Sequence, residues 1–160
     1  MNQPWKESVS SLETNRPERM FRRNRPIDEN FDLEEELYYR CQAQHVDEQR
    51  LLPGAIRFPN FSVNRSKYSE PEDVLIPSYQ DWGIATFRVG NLPEPELTDD
   101  TTEYEWRVVH DPLEDNYAHS EVRTFKNSVY SENLKVPSTI KKKFRQILSE
   151  RIIVTHQPKI

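Results

Sequence analysis

The densest group of side chains that can do chemistry lies in the stretch 104–125. A period-2 alternation predicts a strand that ends at His110, and Pro112 prevents its continuation because proline cannot donate to a β-ladder. A polar turn follows, and the next segment opens at His119. A strand end aims its side chains while the following loop leaves them accessible, so catalytic and ligand-binding groups often lie at such places.

His110 with Asp111 fits a general base and its orienting acid, and His119 with Glu121 fits a second acid–base pair. Metal ligation by the histidines and Glu121 is a weaker hypothesis, since no cysteine pair and no His-x-x-x-His spacing occurs, and we predict no metal. The alternative is ordinary structure. Acids and asparagines bond their own backbone in turns, Asn116 fits a helix cap, and a histidine at a strand end is often only a satisfied structural group.

We therefore predict a polar pocket in which this stretch meets cations and hydroxyls from earlier strands. The candidate catalytic residues are His110, Asp111, His119 and Glu121, and the candidate ligand-binding residues are Arg40, Ser62, Asn64, Arg65 and Asn116. Arginines give bidentate bonds to phosphate and carboxylate, which suits an anionic, nucleotide-like ligand. Such a pocket requires that His110, His119 and Glu121 converge with Arg40 or Arg65 in one concavity.

Composition limits the class of protein. The chain has 160 residues, a net charge of −5, 34% hydrophobic residues, twelve prolines and three glycines. The scarcity of glycine argues against a phosphate-binding loop rich in glycine. The single Cys41 excludes an internal disulfide framework and predicts a buried, inert thiol. No apolar run reaches the roughly 20 residues of a membrane span, and no signal peptide is visible, so we predict a cytoplasmic protein without a membrane partner.

The distribution of charge and proline predicts three parts. Residues 1–27 form a flexible arm with five arginines between 16 and 25, residues 28–154 form one domain, and residues 155–160 form a tail. The arm could bind an acidic protein partner; nucleic acid is a further possibility that the acids within the arm disfavour.

We predict an α+β fold, with a mostly antiparallel sheet of about four or five strands, short helices and a C-terminal amphipathic helix. The surest helix covers 138–152 with Ser138 as its N-cap, and a short helix covers 69–75. The segment 118–129 is ambiguous: its apolar residues fall at helical spacing, which we favour, but part of it would also serve as a strand.

The motifs YYR at 38–40, SVNR at 62–65 and DPLEDNYAH at 111–119, in this order, resemble a group of small uncharacterised bacterial proteins over about 37–122. This resemblance implies no activity and no catalytic residue. A second likeness is to the ADP-ribosyltransferase-like folds, which carry an arginine, a serine and a glutamate on successive strands, matched here by Arg40, Ser62 and Glu121.

That second likeness implies an enzyme that uses NAD. The arginine would hold a phosphate of the cofactor, the serine would support the site, and the glutamate would orient a ribose hydroxyl. It also requires Glu121 to lie on a strand. The sequence thus leaves three functions open: a pocket for an anionic ligand, which we favour, an interaction module that uses the arginine arm and the basic C-terminal helix, and an ADP-ribosyltransferase-like enzyme.

Overall fold

The structure, a computed structural model, describes residues 16–159 and is dominated by one antiparallel sheet of nine strands. In chain order the strands are β1 (Glu36–Cys41), β2 (Val46–Asp47), β3 (Arg50–Leu51), β4 (Asn60–Arg65), β5 (Gly83–Arg88), β6 (Glu96–Leu97), β7 (Glu103–His110), β8 (His119–Lys126) and β9 (Ile153–His156). Their order across the sheet is β2-β3-β9-β5-β1-β4-β8-β7-β6. Two α-helices are present in this part of the chain, α1 (Pro71–Val74) and α2 (Ser138–Arg151). Five 3-10 helices of three residues each complete its regular structure: Glu18–Met20, Ala43–His45, Pro53–Ala55, Pro77–Tyr79 and Val89–Asn91.

The prediction of a four- to five-stranded sheet with several helices is therefore wrong. Three of the missed strands, β2, β3 and β6, are two residues long, which is too short for any alternation to be visible. Strand β9 overlaps the predicted C-terminal tail at residues 155 and 156. Across residues 16–159, only α2 is longer than about one turn, so the sheet and not a set of helices forms the body of the protein.

The helix favoured for 118–129 is also wrong, because His119–Lys126 is the strand β8. Its buried residues alternate with partly exposed ones, as expected for a strand between two neighbours. It pairs with β4 on one side and with Tyr104–His110 of β7 on the other. The apolar residues at helical spacing coincided with this strand by chance.

Helix α2 covers one face of the sheet. Its buried residues Ile140, Phe144 and Leu148 follow the predicted apolar stripe. The ring of Phe144 lies 4.6 Å from that of Trp106 and 6.4 Å from that of Phe61, measured between centroids. The sequence placed the N-cap at Ser138, but Pro137 occupies that position and Ser138 is the first helical residue.

Cys41 lies in the same core and is 1% exposed. Burial raises the pKa of its thiol to about 11, so the thiol is protonated at neutral pH and a poor nucleophile. This agrees with the buried, inert cysteine expected from the sequence.

The segment of the predicted arm that the structure describes, 16–27, contacts the sheet and its loops. Met20 is 1% exposed, and its carbonyl oxygen accepts the amide of Tyr117 at 2.7 Å. The guanidinium groups of all five arginines from 16 to 25 bond within the chain, two of them to the carboxylates of Asp73 and Asp115. Residues 1–15 lie outside the described part.

At the other end of the chain, the strand β9 extends into the predicted tail as far as His156, and the amide of Lys159 donates to the carbonyl oxygen of Asp81. Between residues 16 and 159 there is no helix with the length and apolar character that crossing a membrane demands.

Candidate functional site

The sheet splits between β1 and β4. Strand β1 pairs with β5 along all six of its residues, but with β4 only at Leu37 and Tyr38. Strand β4 instead stays paired with β8 from Asn60 to Asn64. The two central strands therefore separate beyond Tyr38, and a cavity of about 300 Å³ lies where they part.

The lining of this β1–β4 cleft is polar, aromatic and without any carboxylate. It consists of Tyr39, Arg40, Gln42, His45, Gly54, Ala55, Arg57, Asn60, Phe61, Ser62, Asn64, Tyr79 and Trp82. Three of the nine predicted site residues, Arg40, Ser62 and Asn64, are among them. In a chain with a net charge of −5, a cavity lined by two arginines and no acid is a local exception.

Arg40 is held in place by neutral partners. One of its terminal nitrogens donates to the carbonyl oxygen of Val74 at 3.2 Å, and its guanidinium carbon lies 3.8 Å from the centroid of the Tyr79 ring. Burial lowers the pKa of Arg40, and the nearby Arg16 cation acts in the same direction. Among residues 16–159 neither Arg40 nor Arg57 forms a salt bridge, so an anion in the cleft would meet unneutralised charge.

Two aromatic rings form the wall of the cleft on the side of β1. Tyr79 and Trp82 contact edge to face, with ring centroids 5.1 Å apart and an interplanar angle of 88°. Both are partly exposed. Tyr79 ends the 3-10 helix Pro77–Tyr79, which begins with a proline, and Trp82 directly precedes β5.

His119 lies beside the cleft with a defined tautomer. Its Nδ1–H donates to the carbonyl oxygen of Asp111 at 2.8 Å, which leaves Nε2 as an acceptor 3.3 Å from the hydroxyl of Ser62. A hydroxyl that donates to an oriented imidazole is a geometry suited to proton transfer. The predicted partner Glu121 does not contribute, because its carboxylate accepts from the Arg123 Nε at 2.8 Å.

Glu121 nevertheless shares a face of the sheet with the cleft. Ser62 and Glu121 are direct cross-strand partners, and so are Asn64 and His119. The carboxylate of Asp111 lies 3.8 Å from Arg123 on the same side. The structure thus places these side chains along one open polar face, opposite the face covered by α2.

His110 lies on the opposite face and is a structural group. It is the cross-strand partner of Ser120, and is 3% exposed. Its Nδ1 accepts the amide of Asp28 at 2.8 Å, and its Nε2–H donates to the carbonyl oxygen of Tyr117 at 2.6 Å. Burial lowers its pKa, with the Arg65 cation acting in the same direction, so the neutral ring is favoured. The four predicted catalytic side chains therefore do not converge.

Arg65 and Asn116 are also occupied by structural bonds. Arg65 is fully buried; it donates twice to the Glu35 carboxylate and once each to the carbonyl oxygens of Asp28 and Asn30. Asn116 donates to the Oδ1 of Asn64 at 2.7 Å, and its own Oδ1 is buried without a partner among the described residues. Neither side chain reaches the cleft.

Ten of the thirteen lining residues are not among the predicted site residues, and four of these carry cationic, imidazole or aromatic side chains from outside β1 and β4: His45, Arg57, Tyr79 and Trp82. They come from loops and turns, and no spacing in the sequence connects them with Arg40 or Ser62. In the described range, no three histidines, cysteines or acids cluster as metal ligands would. No protein-family model matches the chain, and neither the curated proteins nor the solved structures include a significant match.

Proposed function

We propose that the protein binds a small anionic ligand with an aromatic ring, of the size and chemistry of a nucleotide, in the β1–β4 cleft. The observation that carries the proposal is a lining in which two arginines meet the partly exposed rings of Tyr79 and Trp82 without a carboxylate. A volume of about 300 Å³ is at the lower end of the range of small-molecule sites.

The two kinds of lining group have separate tasks. Arg57 is exposed at the mouth and can form bidentate bonds to a phosphate, while Arg40 is fixed deeper by Tyr79 and Val74. The indole of Trp82 offers a surface against which a base can pack. Asn60 and Ser62 supply neutral hydrogen bonds on the side of β4.

Calorimetric titration with adenosine monophosphate tests the proposal. The wild-type protein is expected to bind, and Arg57→Gln is expected to weaken binding by about tenfold, the value of one charge-assisted bond. Arg88→Gln is the matched control, because Arg88 is exposed on β5 and pairs with Glu34 outside the cleft. Equal affinities for wild type, Arg57→Gln and Trp82→Ala would place the ligand elsewhere and remove the proposal.

A second candidate is NAD-using ADP-ribosyl transfer, and one observation favours it. Arg40 and Ser62 line the cleft, and Glu121 is the direct cross-strand partner of Ser62, so the matched residues share one face of the sheet. Glu121 lies on a strand, as that likeness requires. The Glu121–Arg123 bond must open before Glu121 can reach a ribose hydroxyl.

Release of nicotinamide from NAD measures this second candidate directly. A transferase or NAD hydrolase would release nicotinamide in the wild type and lose most of the release in Glu121→Gln, whereas Glu105→Gln on β7 would retain it. If NAD binds in the cleft but no nicotinamide is released, the second candidate is contradicted and the cleft is a binding site only.

A further inference from the structure

The basic character of the cleft continues beyond its mouth. A second groove, of about 540 Å³, lies between α2 and the turn Pro53–Ala55, and Gly54 lines both the groove and the cleft. The cations of this groove are Arg50, Lys141, Lys142 and Arg145. As in the cleft, its lining contains no acid.

The cations of the groove are free to meet an anion. Within residues 16–159 none of the four forms a salt bridge. Arg145 donates to the carbonyl oxygen of Ile56 at 2.9 Å, and the guanidinium of Arg50 donates to the Ser149 hydroxyl at 3.5 Å. Lys143, by contrast, is neutralised by Glu96. Arg50 also lines a neighbouring groove together with the acids Asp47, Glu48 and Glu150, and these acids mark the end of the basic band.

We propose that the cleft and the groove together bind a short segment of single-stranded nucleic acid, whose backbone crosses Gly54. This rests on the proposed function, since the cleft would hold one nucleotide of the segment. A mononucleotide would leave the cations of the groove unmatched, whereas an oligonucleotide places further phosphates along them. Aromatic stacking beside a basic groove is the combination by which proteins hold single strands.

Substitutions of Gly54 test the nucleic-acid proposal, because this position has room for a side chain. A Cβ at this position meets nothing within 4 Å, and its φ lies outside the left-handed region, so substitution strains neither packing nor backbone. Gly54→Glu inserts a negative charge at the junction of cleft and groove. Gly54→Ala is the matched control for the loss of glycine.

The probe is a fluorescently labelled oligouridylate of about eight nucleotides, a length in the range of single-strand sites, followed by anisotropy. We expect it to bind at least about tenfold more tightly than adenosine monophosphate, with affinity that falls steeply as salt rises. Gly54→Glu should weaken it about tenfold or more, and Gly54→Ala should not. The double variant Lys141→Gln/Lys142→Gln should weaken the oligonucleotide and leave the mononucleotide unchanged.

The outcomes separate the two proposals. If the mononucleotide binds in the cleft but the oligonucleotide binds no more tightly, or Gly54→Glu has no effect on it, the nucleic-acid inference is overturned and the proposed function stands. If neither binds, both are overturned. An oligoglutamate peptide that competes as well as unlabelled oligouridylate would identify an acidic protein segment as the occupant and overturn the inference too.

Discussion

Arg65 shows how a single buried cation can fix a long segment of chain to a sheet. The segment 28–35 has no regular structure of its own, yet four hydrogen bonds from Arg65 reach the Glu35 carboxylate and two backbone carbonyls within it. The guanidinium also lies 3.8 Å from the centroid of the Phe31 ring. Arg65 was a ligand-binding candidate because of its charge, but its hydrogen bonds instead hold the segment 28–35 in place.

We expect Arg65→Met to lower the free energy of unfolding by about 3–5 kcal/mol, because Glu35 would stay buried without its partner. Urea denaturation followed by circular dichroism measures the change. Arg88→Met removes the neighbouring pair with Glu34, in which both side chains are exposed, and should cost about 1 kcal/mol or less. Similar losses in the two variants would show that burial of the Arg65 pair has no energetic consequence.

His110 and His119 show how much of the candidate site could be predicted from residue types and spacing alone. Their types and spacing fitted a shared site, and one of them, His119, does lie beside a hydroxyl at the cleft. The outcome for His110 depended on strand register. Because His110 pairs with Ser120, the two histidines point to opposite faces of the sheet, and spacing alone cannot reveal this when the intervening turn is irregular.

At the scale of elements, β8 shows why a strand was mistaken for a helix. Its inward-facing residues include Ser120 and Thr124, which are buried although polar, so the alternation of apolar and polar residues is weak. The helix α2, with a clear apolar stripe, agreed with its sequence pattern to within one residue at its C-terminal end. Sequence periodicity is therefore informative only where the buried residues are apolar and the exposed residues are polar.

Strand β9 is the other element that the local sequence pattern did not predict. Its position beside β5 requires a glycine at residue 83. A Cβ on Gly83 would collide with the carbonyl oxygen of His156, a residue that pairs with Ile84 of β5, and with the ring of Pro158 just beyond β9. We expect Gly83→Ala to destabilise the fold by about 1–3 kcal/mol, the usual range for overpacking. Thermal denaturation would show it as a lowered Tm.

Gly54→Ala is the internal comparison for this prediction, since it has the same chemical change in open space. Its effect should stay within about 0.5 kcal/mol, as for an ordinary surface position. Equal Tm values for the two variants would mean that β9 can move away from β5 without loss, contrary to the close approach of the two strands.

At the scale of the whole molecule, the segment 16–35 contacts the sheet through hydrogen bonds of two groups, His110 and Asp28, and both have lowered pKa values. Burial lowers the pKa of His110, which accepts the amide of Asp28. A hydrogen bond from the Tyr68 hydroxyl, followed by one from Lys67, lowers the pKa of the Asp28 carboxyl. In both cases the unfolded chain binds the proton more readily than the folded chain, so acid favours unfolding.

The stabilisation from His110 is complete above its unfolded pKa of about 6.5 and falls as the pH drops below that value, while that from Asp28 falls only below about 3.9. We therefore expect the free energy of unfolding, measured with urea from pH 8 to pH 3 at constant ionic strength, to decline in two stages.

His110→Gln should be less stable at pH 7 and should lack the upper stage. His119→Gln, on the open face, should retain it. A free energy that stays constant between pH 7 and pH 5 in the wild type would contradict a buried neutral His110. If the His119 variant lost the upper stage instead, the titrating group would be His119 beside the cleft. The titration would then affect ligand binding and not the attachment of the segment 16–35 to the sheet.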